Sequence, residues 1–204
     1  MNVVILDVGM GNLFSLTSAL GFLGAAHLVT AEAEELSRAS HVILPGVGAF
    51  DAAMERIETL GLDDVLRTTA LETKVPFLGV CLGMQLMFDS SEEGERPGLR
   101  LVPGRLTKLT ADISARLKVP HVGFDRTYGY RPEGMFAGQV ESAHFYFTHS
   151  FALNSLEAGC NVAMCDHSSP FVAAFQHENI CGAQFHPEKS QSTGLQLLAD
   201  FLSI

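Results

Sequence analysis

The chain has 204 residues, 47% of them hydrophobic and 18% charged, which is enough to build the core of one α/β domain. Its formal net charge of −10, with no basic cluster, argues against nucleic acid or an anionic membrane as a partner. No apolar stretch approaches the roughly 20 residues that cross a bilayer. Four cysteines without the spacing of a small secreted domain, and no signal peptide, predict reduced thiols and a cytoplasmic location.

The first half of the chain alternates short apolar strands with segments of helical spacing. Strands are predicted at residues 2–6, 27–30, 41–44 and 76–80, and helices at 13–23, 32–36, 52–60 and 62–71. Asn12 is a candidate cap for the first helix. The crossing Gly9-Met10-Gly11 lacks a phosphate-binding pattern and is interpreted as a turn or a partner-contact loop. This alternation predicts a parallel sheet with helices on both faces.

Residues 76–88 read as a buried strand, a tight turn and a helix, with Cys81 at the apex. Gly79 and Gly83 flank it at two residues on either side, which is the pattern of a nucleophile elbow with a thiol in place of a hydroxyl. A cysteine at the start of a helix is near the positive end of the backbone dipoles, which favours the reactive thiolate. The alternative is a core cysteine in an apolar strand, and the two glycines favour the nucleophile.

The segment at residues 45–50 follows the third strand directly. Two glycines after a proline, Gly46 and Gly48, let backbone N–H groups turn toward a ligand, as an oxyanion-stabilising loop requires. By itself the segment is equally compatible with a tight turn. Its occurrence beside a candidate nucleophile favours the oxyanion interpretation.

The middle of the chain is less informative. Residues 89–98 are interpreted as an exposed acidic loop without a site, residues 99–136 as an antiparallel extension, and 120–126 as a surface loop within it. A strand is predicted at 145–151. His144 and His149 are candidate bases there, although strand histidines are more often simply hydrogen-bonded. The spacing of Cys160, Cys165 and His167 fits no familiar zinc pattern, so no metal site is predicted.

A second candidate functional motif follows a pair of strands at 171–176 and 180–184. His186 comes directly after the strand end, and Pro187 fixes the chain between it and Glu188, so both side chains can project from one edge of the sheet. An imidazole that moves the proton and a carboxylate that orients the imidazole are what a cysteine nucleophile requires. Ser192 is the predicted cap of the last helix.

These motifs resemble a known family. Residues 79–85, with Cys81 at their centre, together with Phe185-His186-Pro187-Glu188, resemble the triad-type (class I) glutamine amidotransferases. The segments at 9–13, 45–50, 146–150 and 186–191 are similar in particular to the glutaminase subunits of imidazole glycerol phosphate synthases. The similarity covers essentially the whole chain. It implies a single flavodoxin-like amidotransferase domain over residues 1–204, with a mostly parallel central sheet, helices on both faces and an antiparallel extension.

The resemblance also implies roles for individual residues. Cys81 would be the nucleophile, His186 the general base and acid, and Glu188 the orienting carboxylate. The backbone N–H groups of Val47 and Leu82 would form the oxyanion hole. The glycines on either side of Val47 permit its loop to adopt a resting and an active arrangement. The substrate-binding residues implied are Gly46, Gly48 and Gln85.

A protein partner is implied as well. Such subunits form a heterodimer with a (β/α)8-barrel cyclase, to which ammonia passes to make imidazole glycerol phosphate and an aminoimidazole carboxamide nucleotide in histidine biosynthesis. No cofactor is implied. The interface would include Asn12, Phe124, Tyr146 and Lys189.

The chain departs from the usual pattern of these subunits at several positions that resemble interface positions. Val8 replaces a tyrosine, Phe14 stands where a basic residue usually follows Leu13, and Phe124-Asp125 stands where Trp-Asn is usual. Two alternatives therefore remain open: a glutaminase for another acceptor, such as an amidino-sugar pathway, and an interaction subunit with an idle Cys81. Anthranilate-type and pyridoxal-phosphate-type subunits fit less well at Met84 and at the 45–48 loop.

Overall fold

The computed structural model describes residues 2–112, 114–115, 117–140 and 142–204. Seven strands form its central sheet, and their bounds in chain order are β1 (Val3–Leu6), β2 (His27–Thr30), β3 (His41–Gly46), β4 (Phe77–Cys81), β10 (Asn161–His167), β11 (Ser169–His177) and β12 (Ile180–Ala183). Their order across the sheet is β10-β11-β12-β4-β3-β1-β2. The last five in this order run parallel, and β10 and β11 add an antiparallel edge.

Helices cover both faces of this sheet: α1 (Leu13–Phe22), α2 (Ala33–Ser37), α3 (Phe50–Thr59), α4 (Asp63–Arg67), α5 (Leu82–Leu86) and α6 (Gln191–Phe201). Alternate residues of a strand point to opposite faces, so β1 supplies Val3 and Ile5 to the apolar cluster under α1 and α6, and Val4 and Leu6 to the cluster under α2 to α5. The predicted α/β class, with its mostly parallel sheet, is confirmed.

Two of the remaining strands form an antiparallel extension. β7 (His121–Arg126) pairs with β8 (His144–His149) in register His121 to His149 and Arg126 to His144. The short strands β5 (Ser90–Ser91), β6 (Arg105–Lys108) and β9 (Phe151–Ala152) form a separate small sheet. The prediction of a surface loop at 120–126 is therefore wrong, because six residues there pair with a strand. A proline and a glycine are uncommon in strands, so the segment did not show the alternation of apolar and polar residues that indicates one.

Other local predictions need correction. The sequence pattern does not predict strand β10, and the acidic segment at 89–98 is not merely solvated, because Glu93 accepts a 2.9 Å hydrogen bond from the Phe50 N–H at the start of α3. Ser192 is not the cap of α6, which begins one residue earlier, after Ser190. Asn12 precedes α1 but makes no capping hydrogen bond. Among the described residues no helix has the length and apolar character needed to span a membrane.

Candidate active site

The predicted elbow is present at the junction of β4 and α5. Cys81 ends the strand and has φ +54° and ψ −111°, a backbone conformation that is costly for any residue with a side chain. Its thiol approaches the Thr148 carbonyl oxygen at 3.9 Å, and the side-chain amide of Gln184 approaches the sulfur at 3.9 Å. The surrounding structure thus holds one side chain on a sharp turn, which is the geometry that an exposed nucleophile requires.

The two flanking glycines are required by close packing. A Cβ at Gly83 would lie 1.7 Å from the Leu44 carbonyl oxygen on the neighbouring strand β3. A Cβ at Gly79 would lie 2.5 Å from the Met87 sulfur and 2.6 Å from the Met84 Cα. Only glycine lets the elbow pack this tightly against the sheet and its own helix.

His186 and Glu188 meet after the end of β12. His186 Nδ1 lies 2.8 Å from Glu188 Oε1, and the two side chains are only 4% and 5% exposed. The Ser190 hydroxyl donates to the His186 carbonyl oxygen at 2.6 Å and accepts from the Tyr146 N–H at 2.9 Å, while the His186 N–H donates to the Tyr146 carbonyl oxygen. Ser190 therefore fixes the backbone that carries the imidazole, a role that its place in the sequence did not reveal.

The electrostatics of His186 couple it to Cys81. Burial, the largest single influence, lowers the pKa of His186, but the combined interactions with the Cys81 sulfur and the Glu188 carboxylate outweigh burial and raise the pKa to about 9. Because Nδ1 is engaged by Glu188, Nε2 is the ring atom left for the sulfur, and Nε2 has no hydrogen-bond partner among the described residues. The imidazole thus presents one unused nitrogen on the Cys81 side, oriented by a carboxylate.

A cavity of about 280 Å³ opens over the elbow. Its wall is formed by Cys81, Leu82, Gln85, the 47–48 and 148–151 segments, Glu93 and Pro120. Gln85 donates through Nε2 to the Phe151 carbonyl oxygen and to Gln184 Oε1, both at 3.0 Å, which leaves its Oε1 to meet a ligand. Glu93 adds a carboxylate to this wall, and sequence reasoning missed it because its neighbours form an acidic run.

The 45–50 loop lies beside the cavity in one defined arrangement. Gly46 packs against Leu82, where a Cβ would be 3.1 Å from the Leu82 Cβ, and Gly48 has φ +111°. The Val47 N–H donates to the Met10 carbonyl oxygen at 3.2 Å, so it is engaged within the protein. Leu82 is the first residue of α5, where the N–H has no acceptor within the helix. Of the two predicted oxyanion donors, Val47 thus has its N–H engaged within the protein.

Neither of the other two candidate bases takes this position. His149 lines the cavity, but burial first of all lowers its pKa to about 3, and its Nδ1 donates to the Phe151 carbonyl oxygen. His144 lies exposed at the far end of β8. The pairing of Cys81 with His186 therefore accounts for the geometry better than either strand histidine.

The residues predicted at an interface form a surface group. The Phe124 ring, 50% exposed, packs edge-on against the Tyr146 ring with centroids 5.5 Å apart, and the Lys189 ammonium lies 5.8 Å from the Tyr146 ring centre. Asn12 is exposed at the start of α1 and lines a cavity of about 10 Å³ that His186 and Glu188 close from the other side. Among the positions that depart from the usual pattern, Val8 is buried and so concerns packing.

Together these features define a class of protein. A cysteine on a strained elbow, an oriented imidazole and a cavity of small-molecule size are the parts of an enzyme that cleaves an acyl bond through a thioester.

Comparison with known proteins narrows this class. The family model described as "Glutamine amidotransferase class-I" matches residues 4–204. A protein named imidazole glycerol phosphate synthase subunit HisH from Xylella fastidiosa (strain Temecula1) is 44% identical over 202 residues, covering 99% of this chain and 97% of that protein. One of the same name from Xanthomonas euvesicatoria pv. vesicatoria is 42% identical over 203 residues, covering 100% and 98%.

A solved structure of a glutamine amidotransferase from Thermotoga maritima has a TM-score of 0.66 at 14% identity, covering 100% of this chain and 83% of that one. At that identity the likeness concerns the fold alone. The chain belongs to the class-I glutamine amidotransferase family, in the branch of the HisH subunits of imidazole glycerol phosphate synthase. The predicted family and fold are thereby confirmed, and the protein is an enzyme of the glutamine amidotransferase type.

Proposed function

We propose that this chain is the glutaminase subunit of an imidazole glycerol phosphate synthase. It hydrolyses glutamine to glutamate and ammonia and delivers the ammonia to a (β/α)8-barrel cyclase subunit in histidine biosynthesis. The observation that carries the proposal is the buried His186–Glu188 pair, whose imidazole interacts with the sulfur of Cys81, on a strained elbow that lines the large cavity. The full-length relatives that carry the HisH name support the choice of synthase.

The reaction follows from three side chains. Cys81 Sγ attacks the side-chain amide carbon of glutamine, and His186, which holds a proton through its raised pKa, gives that proton to the departing ammonia. Glu188 keeps Nδ1 protonated and stabilises the imidazolium. Water then hydrolyses the thioester: His186 Nε2 takes the proton of the attacking water, and the sulfur leaves as the thiolate, which restores the starting thiolate and imidazolium.

Recognition of glutamine uses the part of the cavity wall formed by Gln85 and Glu93. Gln85 Oε1 is an acceptor for the α-ammonium of the substrate, and Glu93 adds a carboxylate to the same cavity. A charge-assisted hydrogen bond of this kind contributes about 1.5–3 kcal/mol. The backbone at Gly46 and Gly48 lets the substrate amide approach without a side chain in the way.

The oxyanion of the tetrahedral intermediate needs two N–H donors, and we assign these to Leu82 and Val47. The Val47 N–H bonds Met10 in the present arrangement, so catalysis requires the Gly46–Val47 peptide to turn over. One such donor is worth about 2.7–4 kcal/mol in the transition state, or roughly two to three orders of magnitude in rate. This arrangement therefore describes a protein that is nearly idle by itself and is switched on by its partner.

The partner surface contains Phe124, Tyr146, Lys189 and Asn12. The exposed Phe124 ring packs against Tyr146, and the Lys189 ammonium lies over the Tyr146 ring. Aromatic residues are enriched at binding hot spots, which supports the assignment of this surface to the partner. The small cavity lined by both Asn12 and His186 marks a route for ammonia from the triad to this surface.

We propose further that residues 1–204 form one domain, since both apolar clusters pack on the same sheet. The four free thiols suit a cytoplasmic location, because a reducing compartment keeps cysteines in this form.

An alternative acceptor is supported by the position of two departures from the usual pattern. Phe14 is 80% exposed near Asn12, and Phe124 lies on the proposed partner surface. Both positions are placed to change which barrel protein docks, and neither touches the Cys81 cavity. A glutaminase for another synthase would keep the same catalytic side chains.

The test is glutamate production from glutamine by the purified chain, by itself and with a cyclase subunit whose nucleotide substrate is bound. We expect low turnover in isolation, strong stimulation in the complex, and no turnover for Cys81→Ala under either condition. Activity that survives Cys81→Ala would contradict the catalytic assignment. Equal turnover with and without the cyclase would remove the partner assignment and leave the glutaminase assignment intact.

A further inference from the structure

The acidic segment at residues 93–96 is held against helix α3 by a carboxylate that the reaction does not use. Asp51 is the second residue of α3, which begins where the 45–50 loop ends. Its Oδ2 accepts a hydrogen bond from the Glu95 N–H at 3.0 Å, and its Oδ1 accepts one from the Arg96 N–H at 3.0 Å. Asp51 therefore clamps two successive backbone groups of this segment.

The segment packs closely on Asp51. A Cβ at Gly94 would lie 1.9 Å from Asp51 Oδ1, so the approach requires glycine. The Arg96 side chain adds ion pairs further along α3, with Glu55 at 3.4 Å and Glu58 at 2.5 Å. Solvent-exposed ion pairs of this kind contribute little, whereas hydrogen bonds from backbone N–H groups to a carboxylate are strong. The two bonds to Asp51 are therefore the main restraint on the segment.

This restraint determines where Glu93 lies. Glu93 Oε2 accepts the 2.9 Å hydrogen bond from the Phe50 N–H, which leaves the other carboxylate oxygen for a ligand. The Glu93 N–H donates to the hydroxyl of the buried Ser91 at 3.1 Å. Glu93 is thus held by Ser91 on one side and by the Asp51 clamp on the other, in the wall of the cavity that contains Cys81.

The catalytic groups are held by other contacts. The Phe50 ring is fully buried in the apolar cluster under α2 to α5, so the end of the 45–50 loop is anchored without help from Glu93. His186 is fixed through the hydroxyl of Ser190. Loss of the clamp should therefore displace the Glu93 carboxylate and leave the reacting side chains in place.

We propose that Asp51 is a positioning residue for the substrate, which acts by holding the backbone that carries Glu93 in the cavity wall. The inference rests on the proposed glutaminase function, since the α-ammonium of glutamine is the group that the Glu93 carboxylate meets. A charge-assisted hydrogen bond weakens steeply when its geometry is lost. Removing Asp51 should therefore weaken the binding of ligands with an α-ammonium and leave the rate of the bound complex unchanged.

The test is the saturation kinetics of Cys81 alkylation in the isolated chain by an electrophilic glutamine analogue that carries the α-ammonium. Asp51→Ala should raise the concentration that gives the half-maximal rate by about 10-fold or more, the size of one charge-assisted hydrogen bond, and leave the limiting rate constant within about 2-fold. Asp51→Asn keeps one acceptor oxygen and should show a smaller rise. Alkylation by iodoacetamide, which has no α-ammonium, should be the same in all three proteins.

A double-mutant cycle separates positioning from a general loss of stability. Glu93→Gln keeps an oxygen for the Phe50 N–H and removes the charge, so adding Asp51→Ala to it should change the half-maximal concentration by less than about 2-fold. The matched control is Asp64→Ala, which removes an exposed aspartate from the first turn of α4 and should behave as the unaltered chain does. Circular dichroism checks folding, and Asp51→Asn serves in the cycle if Asp51→Ala does not fold.

Two results would overturn the inference by itself. One is a folded Asp51→Ala protein with an unchanged half-maximal concentration, and the other is an equal effect of Asp51→Ala with and without Glu93→Gln. Labelling of the unaltered chain that shows no saturation with the glutamine analogue would overturn the proposed function, and this inference with it.

Discussion

Replacing Val47 tests the switch in the 45–50 loop. Turning over the Gly46–Val47 peptide changes ψ of Gly46 and φ of Val47 together. Val47 has no positive φ in the present arrangement, so the turn moves a β-branched residue to positive φ, where it is strained by about 1–3 kcal/mol. Breaking the Val47-to-Met10 hydrogen bond adds about 0.5–1.5 kcal/mol. The active arrangement is then about 1.5–4.5 kcal/mol above the resting one.

Val47→Gly removes the strain component of this difference and leaves the hydrogen bond. Glutamate production by the isolated chain should therefore rise by roughly 5- to 150-fold, with a smaller rise for Val47→Ala and none for Val47→Ile, which keeps the β-branch. Steady-state kinetics at saturating glutamine measures this, with circular dichroism as the check on folding. If Val47→Gly is folded and no more active than the unaltered chain, the peptide turn is not what limits the isolated protein.

Three further predictions concern the triad, the elbow and the partner surface. The pKa of His186 is raised from 6.5 to about 9, so between these pH values the folded chain keeps a proton that the unfolded chain loses. The free energy of unfolding should therefore fall by up to about 3 kcal/mol as the pH rises from 6.5 to about 9. Urea unfolding measured across this pH range should show a smaller fall for Glu188→Gln. Gly83→Ala places a Cβ 1.7 Å from the Leu44 carbonyl oxygen and should destabilise the fold by more than about 4 kcal/mol, measured as lost soluble protein or a lower urea midpoint. Phe124→Ala should weaken cyclase binding by about 10-fold or more in calorimetry and leave the activity of the isolated chain unchanged.

The sequence was informative where local chemistry determines structure. Gly79 and Gly83 around Cys81 predicted the elbow because only glycine avoids the clashes found there. The alternation of apolar strands and helices predicted the parallel sheet. The motif His186-Pro187-Glu188 predicted that the His186 and Glu188 side chains lie together, because the proline between them restricts the backbone. His186 Nδ1 is found 2.8 Å from Glu188 Oε1.

The sequence was uninformative where pairing across the chain determines structure. Strand β7 depends on its register with the distant strand β8, and its own residues include a glycine with φ +140°. Glu93 joins the cavity wall only because the segment after α5 folds back onto α3. The direction of the Val47 N–H is set by the Met10 carbonyl oxygen, and no residue pattern encodes which way a peptide plane faces.

The proximity of His121, Asp125 and His167 has the same origin. The two histidines are far apart in the sequence, and the residue pattern around His167 does not predict the strand that carries it. Asp125, which the resemblance associates with interface positions, instead faces His121 across one face of β7.

The central claim is that Cys81 is a nucleophile poised by His186 in a glutamine-sized cavity. The most direct measurement is mass spectrometry of the intact chain and its peptides after incubation with an electrophilic glutamine analogue. We expect one adduct per chain, on Cys81, formed faster than on Cys160, Cys165 or Cys181, slowed by free glutamine and strongly slowed in His186→Asn. Labelling that is equal among the four cysteines, or indifferent to glutamine and to His186, would contradict it.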